Sequence, residues 1–240
     1  MTEEPYRWLE AVGNRREYVR EQLKGGSPAF AVKLKDGILV LGVGSGQSKV
    51  FELFDRHALA ALGHPADIEK IRQAAIDAAH MEAFTRAPED VSLRRLISFG
   101  LSPQLKTNFE QIFSAPFLIE MLLIELGAEP ESDVVVRLHY DGAFQISTTR
   151  VTVAASESDR EKAAQDWLNE KLAGVEDRKE VAQRLLEAWW RLVENKEFSA
   201  DVAADWKNAL RDKIVEVGWL DRKANRQARY APLSPAELGL

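Results

Sequence analysis

Cysteine is absent from the 240 residues, which removes disulfides, thiolate metal sites and a cysteine nucleophile. Long apolar runs are missing too. None approaches the roughly 20 residues that span a bilayer, and the segment MTEEPYRWLEAVG begins acidic without the apolar centre of a secretory signal. The expectation is a cytoplasmic protein with no membrane partner. Basic charge is not in excess: 32 Lys and Arg face 38 Asp and Glu, a formal net charge of −6 that gives no general attraction to nucleic acid or anionic lipid. No Pro/Gly/Ser-rich linker, internal repeat or low-complexity tract divides the chain, so one large core is expected. His57, His64, His80 and His139 are scattered, without the i, i+4 pairing of a helical zinc site, and neither a metal nor a cofactor is expected.

The stretch that organises what is present runs from Arg15 to Arg56. Arg15–Lys24 reads as a short amphipathic helix closed by Gly25-Gly26, since glycine takes the left-handed conformation that ends helices. Ala29–Leu34 and Ile38–Val43 read as strands joined by a tight Asp36-Gly37 turn of type I′. A glycine-rich corner at Gly44–Gly46 then delivers Lys49 into a third apolar segment, Val50–Phe54.

Ala58–Leu62 reads as another strand, and Pro65 sits well at the first turn of a helix over Ala66–Thr85. Asp90 is read as the N-cap of Val91–Leu101. Ser102-Pro103 either starts a new helix or kinks a continuing one, because the residue before proline is pushed out of the helical region. Phe117–Leu126 is read as a buried strand with helix as the alternative. A second hairpin surrounds Asp141-Gly142, and Arg150–Ala154 reads as a strand. Helices are predicted over Asp159–Leu172 and Arg178–Asn195, with Trp189 in the core and Trp190 at a rim or a subunit contact. A further helix at Ala200–Asp212 and a strand at Lys213–Leu220 complete the pattern. Strand groups alternating with helix pairs predict an α+β fold, a four-layer αββα sandwich of two stacked antiparallel sheets flanked by helix pairs. The expected organisation is an N-terminal arm over residues 1–14, a single domain over 15–221 and a C-terminal tail over 222–240.

Gly42-Val43-Gly44-Ser45-Gly46 lacks the third glycine of a dinucleotide fingerprint, and no helix follows it; Lys49 also lacks P-loop spacing. A tight corner is the better reading. On the residues alone, Lys49 is equally a surface lysine paired with Glu52 or Asp55.

Glu17, Tyr18, Arg20, Glu21, Gly26 and Ser27, then Asp36-Gly37, then the run SKVFELFDRHALAALG from Ser48, together resemble the α-type subunits of bacterial proteasomes. The likeness continues through Asp67–Arg72 and covers about Tyr6–Ser156. It implies the Ntn-hydrolase fold of proteasome subunits and a proteolytically silent ring member. Such a chain would belong to a homo-oligomeric ring, a heptamer by family resemblance, and would support a ring of catalytic β subunits, a threonine-type endopeptidase. It would also receive an ATP-dependent unfoldase or another ring activator. The resemblance implies a gate formed by the N-terminal arm, with Tyr6, Arg7 and Trp8, and ring contacts through Tyr18 and Leu23. Lys49 would bind the C-terminal carboxylate of an activator, with Gly26 leaving room for the inserted tail.

Catalytic relatives use an N-terminal threonine whose hydroxyl attacks and whose α-amine is the base. The resemblance places Ser27 at that position and Val43 where catalytic subunits carry an acidic residue. Valine cannot orient an ammonium, and Ser27 lies behind 26 residues. No catalytic residue is therefore expected in this chain. A serine nucleophile unmasked by cleavage at Gly26–Ser27 is the first rival, and a ring scaffold without proteolysis the second.

Overall fold

Apolar residues on both faces of the early strands mean that each must be covered from two sides. The computed structural model, which describes residues 5–198 and 205–240, meets that demand with four layers. Helix α1 spans Pro5–Leu23, so it continues through much of the segment expected to be an arm. Strands β1 (Ala29–Leu34), β2 (Gly37–Gly44), β3 (Val50–Phe54) and β4 (His57–Gly63) follow. Helix α2 (Pro65–Thr85) comes next, then α3 (Leu93–Arg95), a π-helical stretch Leu96–Leu101, and α4 (Ser102–Glu110). Strands β5 (Ile119–Glu125), β6 (Val134–His139), β7 (Phe144–Ile146) and β8 (Val151–Ala154) precede α5 (Ser158–Lys171) and α6 (Arg178–Val193). The described chain ends with α7 (Trp206–Ala209), β9 (Ile214–Asp221) and β10 (Tyr230–Leu233). Part of the predicted Ala200–Asp212 helix lies outside the described residues; α7 is what they contain of it.

All strand pairings are antiparallel. One sheet has the order β10-β9-β2-β1-β8, the other β3-β4-β5-β6-β7. The period of two along each strand splits the side chains between layers. Ala29, Ala31, Ile38 and Val40 face the second sheet, while Phe30, Val32, Leu39, Leu41 and Val43 pack with Leu168, Leu185 and Trp189 of α5 and α6. On the other side, Ile68, Ile71 and Ala75 of α2 join the core of the second sheet. The expected αββα sandwich is the observed architecture.

Several local expectations change. The turn between β1 and β2 is Lys35-Asp36, with Gly37 already paired to Leu34, and neither turn residue has the positive φ of a type I′ turn. Gly37 is required for a tertiary reason: a Cβ there would stand 2.0 Å from the Leu220 carbonyl oxygen of β9. Ser102 keeps helical dihedrals before Pro103, and the π-helical stretch just ahead accommodates the proline. The N-cap position before α3 is Ser92 rather than Asp90, and the Glu125 carboxylate accepts the Leu93 N–H at 2.7 Å. Trp190 is buried with Trp189 in the α6 core. Residues 222–240 include β10, whose Pro232 sits on an edge strand, where a missing N–H is tolerated.

Candidate functional site

A cavity of about 560 Å³ opens where four elements converge: the end of α1, the turn after β2, the start of α2 and the end of α6. Gly26 and Ser27 form one side. The Gly26 N–H donates to the Leu23 carbonyl at 2.8 Å, turning the chain from α1 into β1. A Cβ at Gly26 would meet Leu62 Cδ1 at 2.7 Å and the Leu23 oxygen at 2.9 Å, so packing beneath the turn demands a residue without a side chain. The cavity therefore meets bare backbone there.

Lys49 is delivered by the corner Ser45–Ser48. Glu216 of β9 pins that corner, because its Oε2 accepts the Lys49 N–H at 2.8 Å and the Val50 N–H at 3.0 Å. The Lys49 stem runs over Gly44, where an added Cβ would lie 3.6 Å from Lys49 Cε. Its Nζ donates only weakly to the Ser27 carbonyl, at 3.5 Å. Burial pushes the Lys49 ammonium below its usual pKa; Glu216 pulls it back up, and Lys213 pushes it further down. Neither Glu52 nor Asp55 forms an ion pair with it.

The Ser27 hydroxyl accepts the Trp189 indole N–H at 2.8 Å. Its nitrogen is an amide in the chain that continues back into α1, and no aspartate, glutamate or histidine lines the cavity among the described residues. Val43 lines the cavity from the core of the first sheet. The constellation holds a cation, a bare backbone turn and an apolar wall of Pro65, Ile68 and Val193, without a base for a nucleophile.

Of the other residues singled out by sequence, Leu23 is buried in the core and Tyr18 is 50% exposed on α1. Arg7 is exposed and Trp8 is 49% exposed near the start of that helix; the Tyr6 side chain lies outside the described residues. None of Arg7, Trp8, Tyr18 and Leu23 lines the Lys49 cavity. Trp189, Lys213 and Glu216 join the site without having been singled out for it. Trp189 carried only a core signal, and the two β9 residues carried none, because strand pairing alone brings them beside the corner. Two of the histidines serve local structure: His64 Nδ1 accepts the Ala66 N–H at the start of α2 at 3.3 Å, and His139 pairs with Glu120 at 2.9 Å.

Sequence comparison speaks to the same fold. No protein-family model matches the chain. Curated relatives do. It is 29% identical over 137 residues to the proteasome subunit alpha of Streptomyces griseus, covering 56% of this chain and 50% of that protein. It is 32% identical over 133 residues to that of Actinosynnema mirum, covering 55% and 50%. The chain thus spans about half the length of these curated relatives. With the proteasome subunit alpha of Kineococcus radiotolerans the identity is 26% over 234 residues, 95% of this chain and 92% of the relative. The chain is similar in sequence to bacterial proteasome α subunits. Two antiparallel five-stranded sheets flanked by helices agree with the sandwich fold of proteasome subunits. Among the described residues, no helix is long and apolar enough to cross a membrane.

Proposed function

We propose that this chain is a non-catalytic ring subunit of a proteasome core particle, gating substrate entrance, docking an activator or unfoldase and supporting a catalytic β ring. The observation that carries the reading is Lys49: a half-buried ammonium facing an open cavity, in no ion pair with a described residue and with no nucleophile–base pair beside it among the described residues. A buried cation without an internal partner is costly unless a ligand supplies the counter-charge. A compact ammonium with three donors suits a chain-terminal carboxylate. The bare backbone at Gly26 and the wall of Pro65, Ile68 and Val193 accept the rest of an inserted tail.

The β ring is assigned to the other end of α2. That helix has 21 residues and so spans about 30 Å. Its first turn lines the Lys49 cavity, while near its far end Met81 and Phe84, the latter 89% exposed, stand out with Phe99 of the adjoining π-helical stretch. Large exposed apolar side chains of this kind mark interaction surfaces. Identical subunits would pack head to tail, a contact that must close by rotation. The gate is assigned to the start of α1, with Arg7 and Trp8.

Electron microscopy of the purified chain, with and without a candidate threonine-bearing β partner, tests the proposal. The expected result is a protein without peptidase activity alone, and stacked rings with activity when the partner is added. Peptidase activity from this chain alone, abolished by Ser27→Ala, would replace the reading with a serine peptidase. Rings that never take up the β partner would leave a scaffold without proteolysis.

A further inference from the structure

The receptor reading of the cavity uses one of the two charged side chains that line it among the described residues. The other, Lys213, stands just ahead of β9, whose residue Ile214 pairs with Gly44 at the end of β2. That register sets Lys213 beside the glycine-rich corner, where its Nζ donates to Ser45 Oγ at 2.9 Å. Neither lysine forms an ion pair with a described residue. The nearest compensating charge is Glu216, whose Oε2 is already held by the Lys49 and Val50 N–H groups. Two ammonium groups and one engaged carboxylate leave one positive charge to be neutralised.

We propose that Lys213 is the second cation of this receptor and that Lys49 and Lys213 hold a single peptide C-terminal carboxylate between them, one oxygen each. The inference rests on the receptor role assigned to Lys49 above. A carboxylate has two oxygens to share, and ionised hydrogen bonds are the strong ones. No acidic residue among those described lines the cavity to compete for the lysines. The favoured ligand is a chain end whose last side chain is aliphatic, because Pro65, Ile68 and Val193 form the remaining wall. The mutual repulsion of the lysines acts in the same direction. Lys213 makes the Lys49 charge harder to hold, and an anion between the two offsets that repulsion.

The test uses the full-length chain and fluorescein-labelled Ala-Ala-Leu, with either a free C-terminal carboxylate or a C-terminal amide, followed by fluorescence anisotropy. Amidation and Lys49→Met should each weaken binding at least about tenfold, and Lys213→Met about three- to tenfold, the range for charge-assisted contacts from buried to more exposed sites. Lys213→Arg should restore much of the loss. If Lys213→Met leaves the free-acid affinity unchanged while Lys49→Met and amidation weaken it, the receptor stands and the two-lysine clamp falls. A Lys213→Met loss of equal size for the amide would also sink the clamp, since the effect would not run through the carboxylate. Equal binding of free acid and amide, or no binding of the free acid at millimolar concentration, would overturn the receptor role and the clamp together.

Discussion

Adjacent residues at the end of α1 line two cavities of nearly equal size with opposite electrostatic construction. Gly25 and Gly26 face the Lys49 cavity, about 560 Å³. Leu23 and Lys24 face a second cavity of about 580 Å³, lined also by Arg16, Arg137, His139, Glu120 and Asp141. In the second, Arg16, Arg137 and His139 each find a carboxylate within the molecule. Arg137 pairs with Glu161 of α5 and with Glu120 at 3.3 Å, and it donates to the Ala155 carbonyl at 3.2 Å. His139 lies 2.9 Å from Glu120, and Arg16 3.6 Å from Asp141. Burial lowers the Arg137 pKa while Glu120 pulls it back up. The Lys49 cavity holds its cations without such partners. Size therefore does not separate the proposed receptor from a structural joint; the pairing of the Lys49, Arg16, Arg137 and His139 charges does.

The largest expected effect breaks the closed network. Arg137→Met leaves the buried Glu120 and Glu161 without their shared cation, and unfolding in urea should show a loss of about 3 kcal/mol, the scale for removing one partner of a buried ion pair. A loss below about 1 kcal/mol would mean that the carboxylates find other partners and that the second cavity is as open to ligands as the first.

A smaller effect lies on the wall of the Lys49 cavity. Trp189→Phe removes the indole N–H that the Ser27 hydroxyl accepts, a hydrogen bond worth about 1 kcal/mol in denaturant unfolding, apart from the packing lost with the larger ring. A double-mutant cycle with Ser27→Ala should return a coupling of similar size, about 1 kcal/mol. Zero coupling would show that the hydroxyl is not held by Trp189, and the argument that it is occupied structurally would lose its support.

What was legible in the sequence follows the range of the forces involved. The β1–β2 hairpin, the α2 stripe of Ile68, Ile71 and Ala75, and the apolar run that became β5 are written in periodicity, which is local. The two Asp-Gly pairs show the limit. Gly142 has a positive φ of 82° in its hairpin, as the pattern promises, whereas Gly37 is fixed by the approach of Leu220 from β9. The candidate site divides in the same way. Lys49, Gly26 and Ser27 could be picked out because they share the short segment that carries the family likeness. Lys213, Glu216 and Trp189 could not, because strand pairing and helix packing bring them there from far along the chain. Arg222 is a further case: it sits in a segment with no readable pattern, yet its guanidinium pairs with buried Asp133 at 2.7 Å.

The smallest expected effect is the most discriminating, because it reverses the sign of the first. Lys49→Met keeps the aliphatic stem and removes the charge. The folded protein holds the Lys49 ammonium below its usual pKa of 10.5, so between the folded and unfolded values the unfolded chain binds more protons and stability rises with pH. Below that window Lys49 is charged in both states, and the full cost of burying the ammonium is present. The variant should therefore be as stable as the native chain at pH 7 or more stable, by less than about 1 kcal/mol for a charge that still reaches solvent. That difference should shrink as pH climbs toward 10.5, which denaturation series at pH 7, 8, 9 and 10 would follow. Were Lys49→Met instead clearly less stable at pH 7, as Arg137→Met is expected to be, Lys49 would be an internally satisfied cation and the contrast between the two cavities would disappear. Gain or neutrality in stability, joined to loss of carboxylate binding, is the behaviour of a charge kept for a partner rather than for the fold.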